Sequence, residues 1–485
     1  MRLSGKKISV LLLCIIMIFG AASPAKASSL PELGPGNVTE AAEQTQTEDG
    51  SLEPQTQAQA LTETEAEPVS EEPAAEEPEA DEEPSLPEGL SVEAYLAVKQ
   101  SVMNNAAVDV YADNTGTPSG TEDIEAGVLL ADLAAACTER GMFYPPDPGQ
   151  RFAAVGGNVA TNAGGMRAVK YGCTREYVRT LKVVLPDGRV VKLGGEPSKN
   201  SSGYSLLHLM VGSEGTLGII TEIGLKLIPQ PKFQVSLLGM FEDLEACIHC
   251  VPAIKGSGLN PQSLEFMPRS NVVRAEKFME KVVYPAKSEG TDVGAYLLTT
   301  FDCRREEEMD EIMEAAAEVM LEGGALDVIV FDNANAMKAA WDVRRAVPEA
   351  ILATYDKVEE CDIVVPTSYI AEVVEYALSL SDEVGLDIHT YGHAGDGNIH
   401  IKLCANGMEE QEFRVRSDKF LDLIYARGKG MNALISGEHG IGAVSVRRLE
   451  DYVGTDVMDL MRGIKAVFDP KGLLNPGKVC TYVKD

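Results

Sequence analysis

Between residues 387 and 403 the chain reads as two short strands joined by a tight turn. Period-two alternation puts Asp387, His389, Tyr391 and His393 on one face of the first strand. In the second, His400 and Lys402 alternate with Ile399, Ile401 and Leu403. Gly395 and Gly397 flank Asp396 and disfavour a helix between the histidines. A turn over 394–397 folds the strands back and brings two imidazoles close. The chain has only six histidines, and another of them, His439, follows Glu438 in the string Gly437-Glu438-His439-Gly440. Imidazole with carboxylate makes either a divalent-metal site or an acid–base centre. The spacing alone also leaves open a surface hairpin with incidental histidines.

The remainder divides by composition. With 485 residues, 45% of them hydrophobic, the chain is long enough for two or three domains. The formal net charge of −33 is unevenly spread, because residues 28–98 hold 19 acidic and no basic side chains. Residues 1–27 read as a secretory signal: Arg2, Lys6 and Lys7 precede an apolar run over 8–20, and Ala25-Lys26-Ala27 fits a cleavage site. The run is short for a spanning helix, so none is expected after signal removal. Residues 28–90, made of Glu, Pro, Thr, Gln and Ala, cannot bury a core and are expected to be a disordered acidic linker. An acidic chain without a basic stripe is a poor partner for nucleic acid. The nine cysteines are scattered rather than arranged as a disulfide framework. Cys247-x-x-Cys250 lacks a second pair and reads as buried thiols.

From about Glu125 the sequence is globular. Helical spacing runs over 128–140, with Gly141 as a C-cap. A strand–turn–strand is expected over 180–193, with Pro186-Asp187-Gly188 at the turn. Strands over 295–300 and 325–331 alternate with amphipathic helices over 304–322 and 336–347, an α+β pattern. The densest glycine and asparagine cluster, residues 156–165, reads as a loop; it lets backbone approach a bulky ligand and offers amide donors and acceptors. No G-x-G-x-x-G occurs, so the dinucleotide fingerprint is absent. Residues 472–478 imitate the start of a P-loop, but Val479 stands where Ser or Thr is required.

Nine strings occur in one order: YPPDP (144–148), GGNVATNAGG (156–165), KYG (170–172), VVLPDG (183–188), KNSSGY (199–204), GSEGTLGIIT (212–221), GHAGDGNIH (392–400), SGEHGIG (436–442) and FDPKGLLNPGK (468–478). This series resembles the FAD-linked oxidase family of glycolate oxidase, D-lactate dehydrogenase and D-2-hydroxyglutarate dehydrogenase, from about Glu125 to Val479. The resemblance implies an α+β chain in four parts. A signal peptide (1–27) and acidic linker (28–90) precede a partial vanillyl-alcohol-oxidase-type (PCMH-type) FAD-binding domain (91–231). Residues 232–485 would form a ferredoxin-like α+β cap domain with a C-terminal helical segment, holding substrate and metal.

By that resemblance, Pro146, Asp147, Gly157, Asn158, Asn162, Gly164, Gly165, Tyr171, Gly172, Glu214, Gly215, Ile220 and Asn475 would line FAD. His393, His400 and Glu438 would hold a divalent metal: zinc, manganese or iron. His439 would take the hydroxyl proton of a small D-2-hydroxy acid as hydride passes to the flavin. Asn398 would hydrogen-bond the substrate. Arg344 would clamp its carboxylate, with Arg345 as competitor and Lys357 as a further candidate. Electrons would leave to an electron-transfer flavoprotein, an iron–sulfur subunit or quinone.

The chain also departs from the family. No Arg- and Gly-rich pyrophosphate loop precedes Glu125, so the first half of the FAD domain is expected to be missing, and Ser205 stands where an acidic residue is usual. A FAD-dependent hydroxy acid oxidoreductase is the primary reading. The alternative is a secreted, degenerate homologue that binds metal or hydroxy acid without turnover. The leader implies export, whereas the family fold implies the cytoplasm.

Overall fold

The computed structural model describes residues 109–110 and 121–481, with side chains from Ile124 onward. The expected signal peptide, the acidic linker and most of residues 91–120 lie outside the described residues.

Two antiparallel sheets organise the described residues. The first runs Asp109–Val110, Thr121–Glu125, Ile219–Lys226, Val178–Val184, Val190–Gly194 in spatial order. The last two strands are the expected hairpin, paired from Thr180↔Gly194 to Val184↔Val190. Val178, Leu181 and Val183 point into a core shared with Leu133 of the helix Leu130–Glu139. Ile464 and Phe468 of the C-terminal helix Thr455–Phe468 pack on the same core. Lys465 fixes that helix: its buried ammonium donates to the carbonyls of Thr216 (2.7 Å) and Leu474 (2.9 Å) and pairs with Asp469.

The 156–165 cluster corrects a sequence expectation. Its first half is a helix, Val155–Thr161, rather than a loop. Val155 and Val159, one turn apart, are fully buried, and that burial outweighs the poor helix propensity of two glycines. The helix stops at Asn162, which adopts the left-handed conformation at φ 54°. Beyond it, Gly165 at φ +104° passes so close to Asp147 that an added Cβ would lie 2.2 Å from the Asp147 carbonyl oxygen.

The second sheet has seven strands, more than a single ferredoxin-like unit. Its order is Asp327–Phe331, Phe233–Phe241, Ala295–Cys303, Ser263–Pro268, Asp387–His393, Asn398–Ala405, Lys357–Val364. One face packs the helices Glu306–Glu322, Ile370–Ser379 and Glu410–Lys429 through residues such as Phe266, Ile399, Ile401 and Phe420. The other face packs Arg269–Phe278 and Ala334–Leu352 through Leu238, Leu298, Val343 and Val347. Tyr391 and Cys404 belong to this second face. By alternation His393, His400 and Lys402 share it. Cys247, on the short helix Leu244–His249, and Cys250, at its junction with the helix Val251–Gly256, are fully buried free thiols, as the sequence suggested.

Gly165→Ala should lower unfolding free energy by about 3 kcal/mol, from a disfavoured φ and a backbone overlap. Gly157→Ala, at a position with nothing within 4 Å, should leave stability unchanged or raise it by up to about 1 kcal/mol. Urea titration of both variants checks the contrast.

Candidate active site

The hairpin forms where the sequence placed it. Asp387–His393 pairs with Asn398–Ala405, and Tyr391 lies opposite His400. This brings His393 Nε2 within 3.3 Å of His400 Nε2. Glu438 Oε1 lies 3.4 Å from the first nitrogen and 3.5 Å from the second. A triangle with such edges has its centre about 2.0 Å from each corner, the usual zinc–nitrogen and zinc–oxygen bond length. Two further atoms of these residues, His400 Nδ1 and Glu438 Oε2, lie outside the triangle and are buried without hydrogen-bond partners. These residues fit a divalent cation.

The charges around the triangle are ordered. Glu265, fully buried, accepts from His393 Nδ1 at 2.8 Å and from Arg344 Nε at 2.9 Å. With Nδ1 held by this carboxylate, His393 turns Nε2 to the triangle. Burial disfavours charge on His393, but Glu265 and Glu438 outweigh it and hold the imidazole well above its usual pKa. His400 goes the other way: burial and the neighbouring His393 bring it down to about 4. Glu438 is brought down to about 2, since the attraction of His393 exceeds the burial penalty. A proton on His393 thus balances Glu438, at the corner a metal would claim.

Asp362 places the remaining loop. Its Oδ2 accepts the successive backbone N–H groups of Gly437 (2.8 Å), Glu438 (2.8 Å) and His439 (2.9 Å). Burial raises the Asp362 pKa less than the nearby histidines and these N–H groups lower it, so it stays a carboxylate. His439 then stacks on His400 with centroids 5.3 Å apart, and its side chain remains 44% exposed toward the cavity.

Two expected substrate contacts are placed differently. Asn398 Nδ2 donates to Asp362 Oδ1 at 2.7 Å, so its amide braces the loop and is absent from the cavity wall. Arg344 lines the cavity, yet its Nε and Nη2 are bonded to Glu265. Lys357, the further candidate, pairs with Glu410 and is not in the wall. Glu265, Asp362 and Glu360, whose carboxylate pairs with Lys402 in the cavity wall, escaped the sequence reading. Each did carry a signal: an acid inside the apolar strand Ser263–Pro268, and two acids at alternate positions of Lys357–Val364.

The expected cofactor residues gather on the other side. Gly164 packs against the cluster, since an added Cβ there would lie 3.3 Å from Glu438 Oε2. Asn158 is buried with its Nδ2 unpartnered, and Gly157 beside it is open. Asn162 Oδ1 accepts the Arg175 N–H at 3.0 Å. Glu214, at φ 51°, accepts the N–H groups of Ile441 (2.7 Å) and Gly442 (2.8 Å), and its carbonyl accepts from Asn475. Gly215 lies within reach of the same Asn475 amide, and Ile220 sits in the strand beyond it. Tyr171, followed by Gly172 at φ +79°, donates to Asp302 at 2.7 Å. Pro146 is buried beside Asp147, whose carboxylate pairs with Arg167 and Arg345. An orphaned buried amide beside the open Gly157 fits a bulky polar ligand such as FAD.

A cavity of about 570 Å³ opens beside the triangle; none of the expected cofactor residues is in its wall, although chain neighbours of several are. Its wall includes Thr161, Ala163 and Met166 from the glycine-rich segment and all four of His393, His400, Glu438 and His439. Residues 230–479 match the C-terminal domain of FAD linked oxidases, and residues 96–194 match an FAD binding domain. The chain belongs to the FAD-linked oxidases. The FAD-domain match starts ahead of Glu125, where the motif reading began. A D-lactate dehydrogenase of Anaerostipes hadrus is 55% identical over 74% of this chain and 75% of its own length. Glycolate oxidase subunit GlcD of Bacillus subtilis is 34% identical over 75% and 76%. The chain therefore spans about three quarters of these curated relatives. The 4-ethylphenol oxidase of Gulosibacter chungangensis shares the fold at TM-score 0.60 and 17% identity, over 78% of this chain and 79% of that one. The α+β, vanillyl-alcohol-oxidase-type assignment stands, and the protein is an FAD-linked oxidoreductase.

Asp362→Ala should cost about 3–5 kcal/mol of stability, because three backbone donors and the Asn398 amide lose a buried acceptor together. Chemical denaturation measures the loss; a change below about 1 kcal/mol would contradict this role.

Proposed function

We propose that this FAD-linked oxidase converts a small D-2-hydroxy acid, D-lactate or glycolate by analogy with its relatives, to the 2-oxo acid. The observation that carries the reading is the triangle of His393, His400 and Glu438 in one cavity with the glycine-rich segment. FAD, when bound, would accept the hydride from the carbinol carbon. A divalent zinc, manganese or iron ion held by those three side chains would supply Lewis-acid polarisation of the hydroxyl.

The chain's own residues do the rest. His439 is the base: it is open to the cavity, and its Nε2 lies 3.7 Å from Glu438 Oε1, beside the triangle. It takes the hydroxyl proton there. Arg344 is buried, and its bonds to Glu265 hold it rigid against the wall. It attracts the substrate carboxylate from that fixed position, and Arg345 offers a second guanidinium. Phe152, Ala163, Met166 and Pro348 give the cavity apolar surface for a short side chain. Reoxidation falls to an electron-transfer flavoprotein, an iron–sulfur subunit or quinone. Among the described residues, no helix is long and apolar enough to cross a membrane.

The test is anaerobic. The full chain, supplied with FAD and a divalent metal, is titrated with D-lactate, glycolate and D-2-hydroxyglutarate, and bleaching of flavin absorbance is followed. At least one acid should bleach it, and L-lactate should not. His439→Ala should slow bleaching by about 10²–10⁴-fold while the bound-flavin spectrum is kept. Failure of every acid, with no FAD retained, would favour a non-catalytic binding protein and sink the proposal.

A further inference from the structure

The two ring nitrogens of His400 meet different surroundings. Nε2 belongs to the triangle with His393 and Glu438. Nδ1, on the other edge of the ring, is buried and unpartnered, and the residue as a whole is only 4% exposed. Glu360 Oε1 and Asp362 Oδ1 each lie 3.8 Å from it, too far for a hydrogen bond. His439 Nδ1 faces the same place, 3.8 Å from Glu360 Oε2 and 3.9 Å from Asp362 Oδ2. One ligand atom from each of Glu360, His400 and His439 falls within 4.8 Å of the other two.

Charge here favours a cation. Glu360 and Asp362 set two negative charges against the ammonium of Lys402, which takes Glu360 Oε2 at 2.6 Å and leaves Oε1 toward His400. Asp362 supplies charge but no ligand atom, because its Oδ2 accepts three backbone N–H groups and its Oδ1 the Asn398 amide. Glu360, His400 and His439 all line the cavity, so an ion can enter from it. The place is looser than the triangle, whose edges are 3.3, 3.4 and 3.5 Å. Its His400 and His439 rings stack at 21°, so His439, 44% exposed, must turn to aim Nδ1 at an ion. That turn and the nearby ammonium weaken binding.

We propose that Glu360, His400 Nδ1 and His439 Nδ1 form a second, weaker divalent-cation site, suited to zinc, that inhibits the protein when it fills. It shares only His400 with the triangle. With a cation on Nε2, the His400 ring proton sits on Nδ1; a second cation displaces that proton to solvent, and the ring is then shared as an imidazolate. A cation on His439 Nδ1 leaves that ring's proton on Nε2, the nitrogen that would take the hydroxyl proton. The inhibition rests on the hydroxy acid reading above, whereas the binding does not.

Equilibrium dialysis of the FAD-loaded full chain against zinc follows uptake beyond the first equivalent. A second equivalent should bind with a Kd at least about 100-fold above the first. Glu360→Gln should raise that second Kd at least about tenfold, and His439→Ala should abolish the second equivalent, each keeping the first. Glu438→Gln should do the reverse, losing the tight ion and keeping the weak one. No second equivalent up to about 1 mM zinc would overturn the proposal. So would a second isotherm unchanged in Glu360→Gln and His439→Ala, which would place the extra zinc elsewhere on this acidic chain. Flavin bleaching by D-lactate is then read at both occupancies. Filling the second site should slow it at least about tenfold, and Glu360→Gln should need about tenfold more zinc for the same slowing. Bleaching that ignores the second equivalent would refute the inhibition. Absence of bleaching at one equivalent counts against the hydroxy acid reading, and the second site then stands or falls on the zinc isotherms, which need no substrate.

Discussion

A buried row of alternating charges, Arg344, Glu265, His393 and Glu438, governs the site. Each member alone would be costly to bury, and each is stabilised by the next. Arg344 and His393 share Glu265, which has no access to solvent. Glu438 completes the row at 3.4 Å from His393. Because the row crosses from the helix Ala334–Leu352 through two strands to the 436–442 loop, it fixes three separate segments at once. A sheet built for stability alone would place apolar side chains there. The retained charge makes sense as the setting of a cation site, where a carboxylate behind the histidine orients the ligand nitrogen.

Two acids outside the row hold the loop from either side. Asp362 gathers the N–H groups of residues 437–439, while Glu214 gathers those of residues 441 and 442. Gly440, between them at φ +84°, leaves no room for a side chain against Glu214. Glu214 belongs to the segment expected to contact FAD, so cofactor side and metal side are joined through one short loop.

The hairpin was legible because its period-two pattern and glycine turn are local properties. The same holds for the grouping of His393, His400 and Glu438, since histidines are scarce in this chain and cluster in two strings. Less legible were the supporting carboxylates. Glu265 lies 128 positions from His393, a pairing no local pattern reveals. Asn398 illustrates the same limit: its position in the motif suggested a substrate contact, but Asp362 on the adjacent strand claims its amide. Helix Val155–Thr161 was hidden by its glycines, and only burial of two valines makes it helical. Arg344 and Arg345, adjacent in sequence, take different partners because successive helical positions point about 100° apart.

The central claim is that His393, His400 and Glu438 form a cation site distinct from the base His439. Metal content of the purified chain after zinc or manganese loading and desalting tests it most directly. The account predicts a single tightly held cation per chain, lost in Glu438→Gln and in His400→Ala and retained in His439→Ala. Equal metal content in all four proteins, or loss in His439→Ala alone, would contradict it.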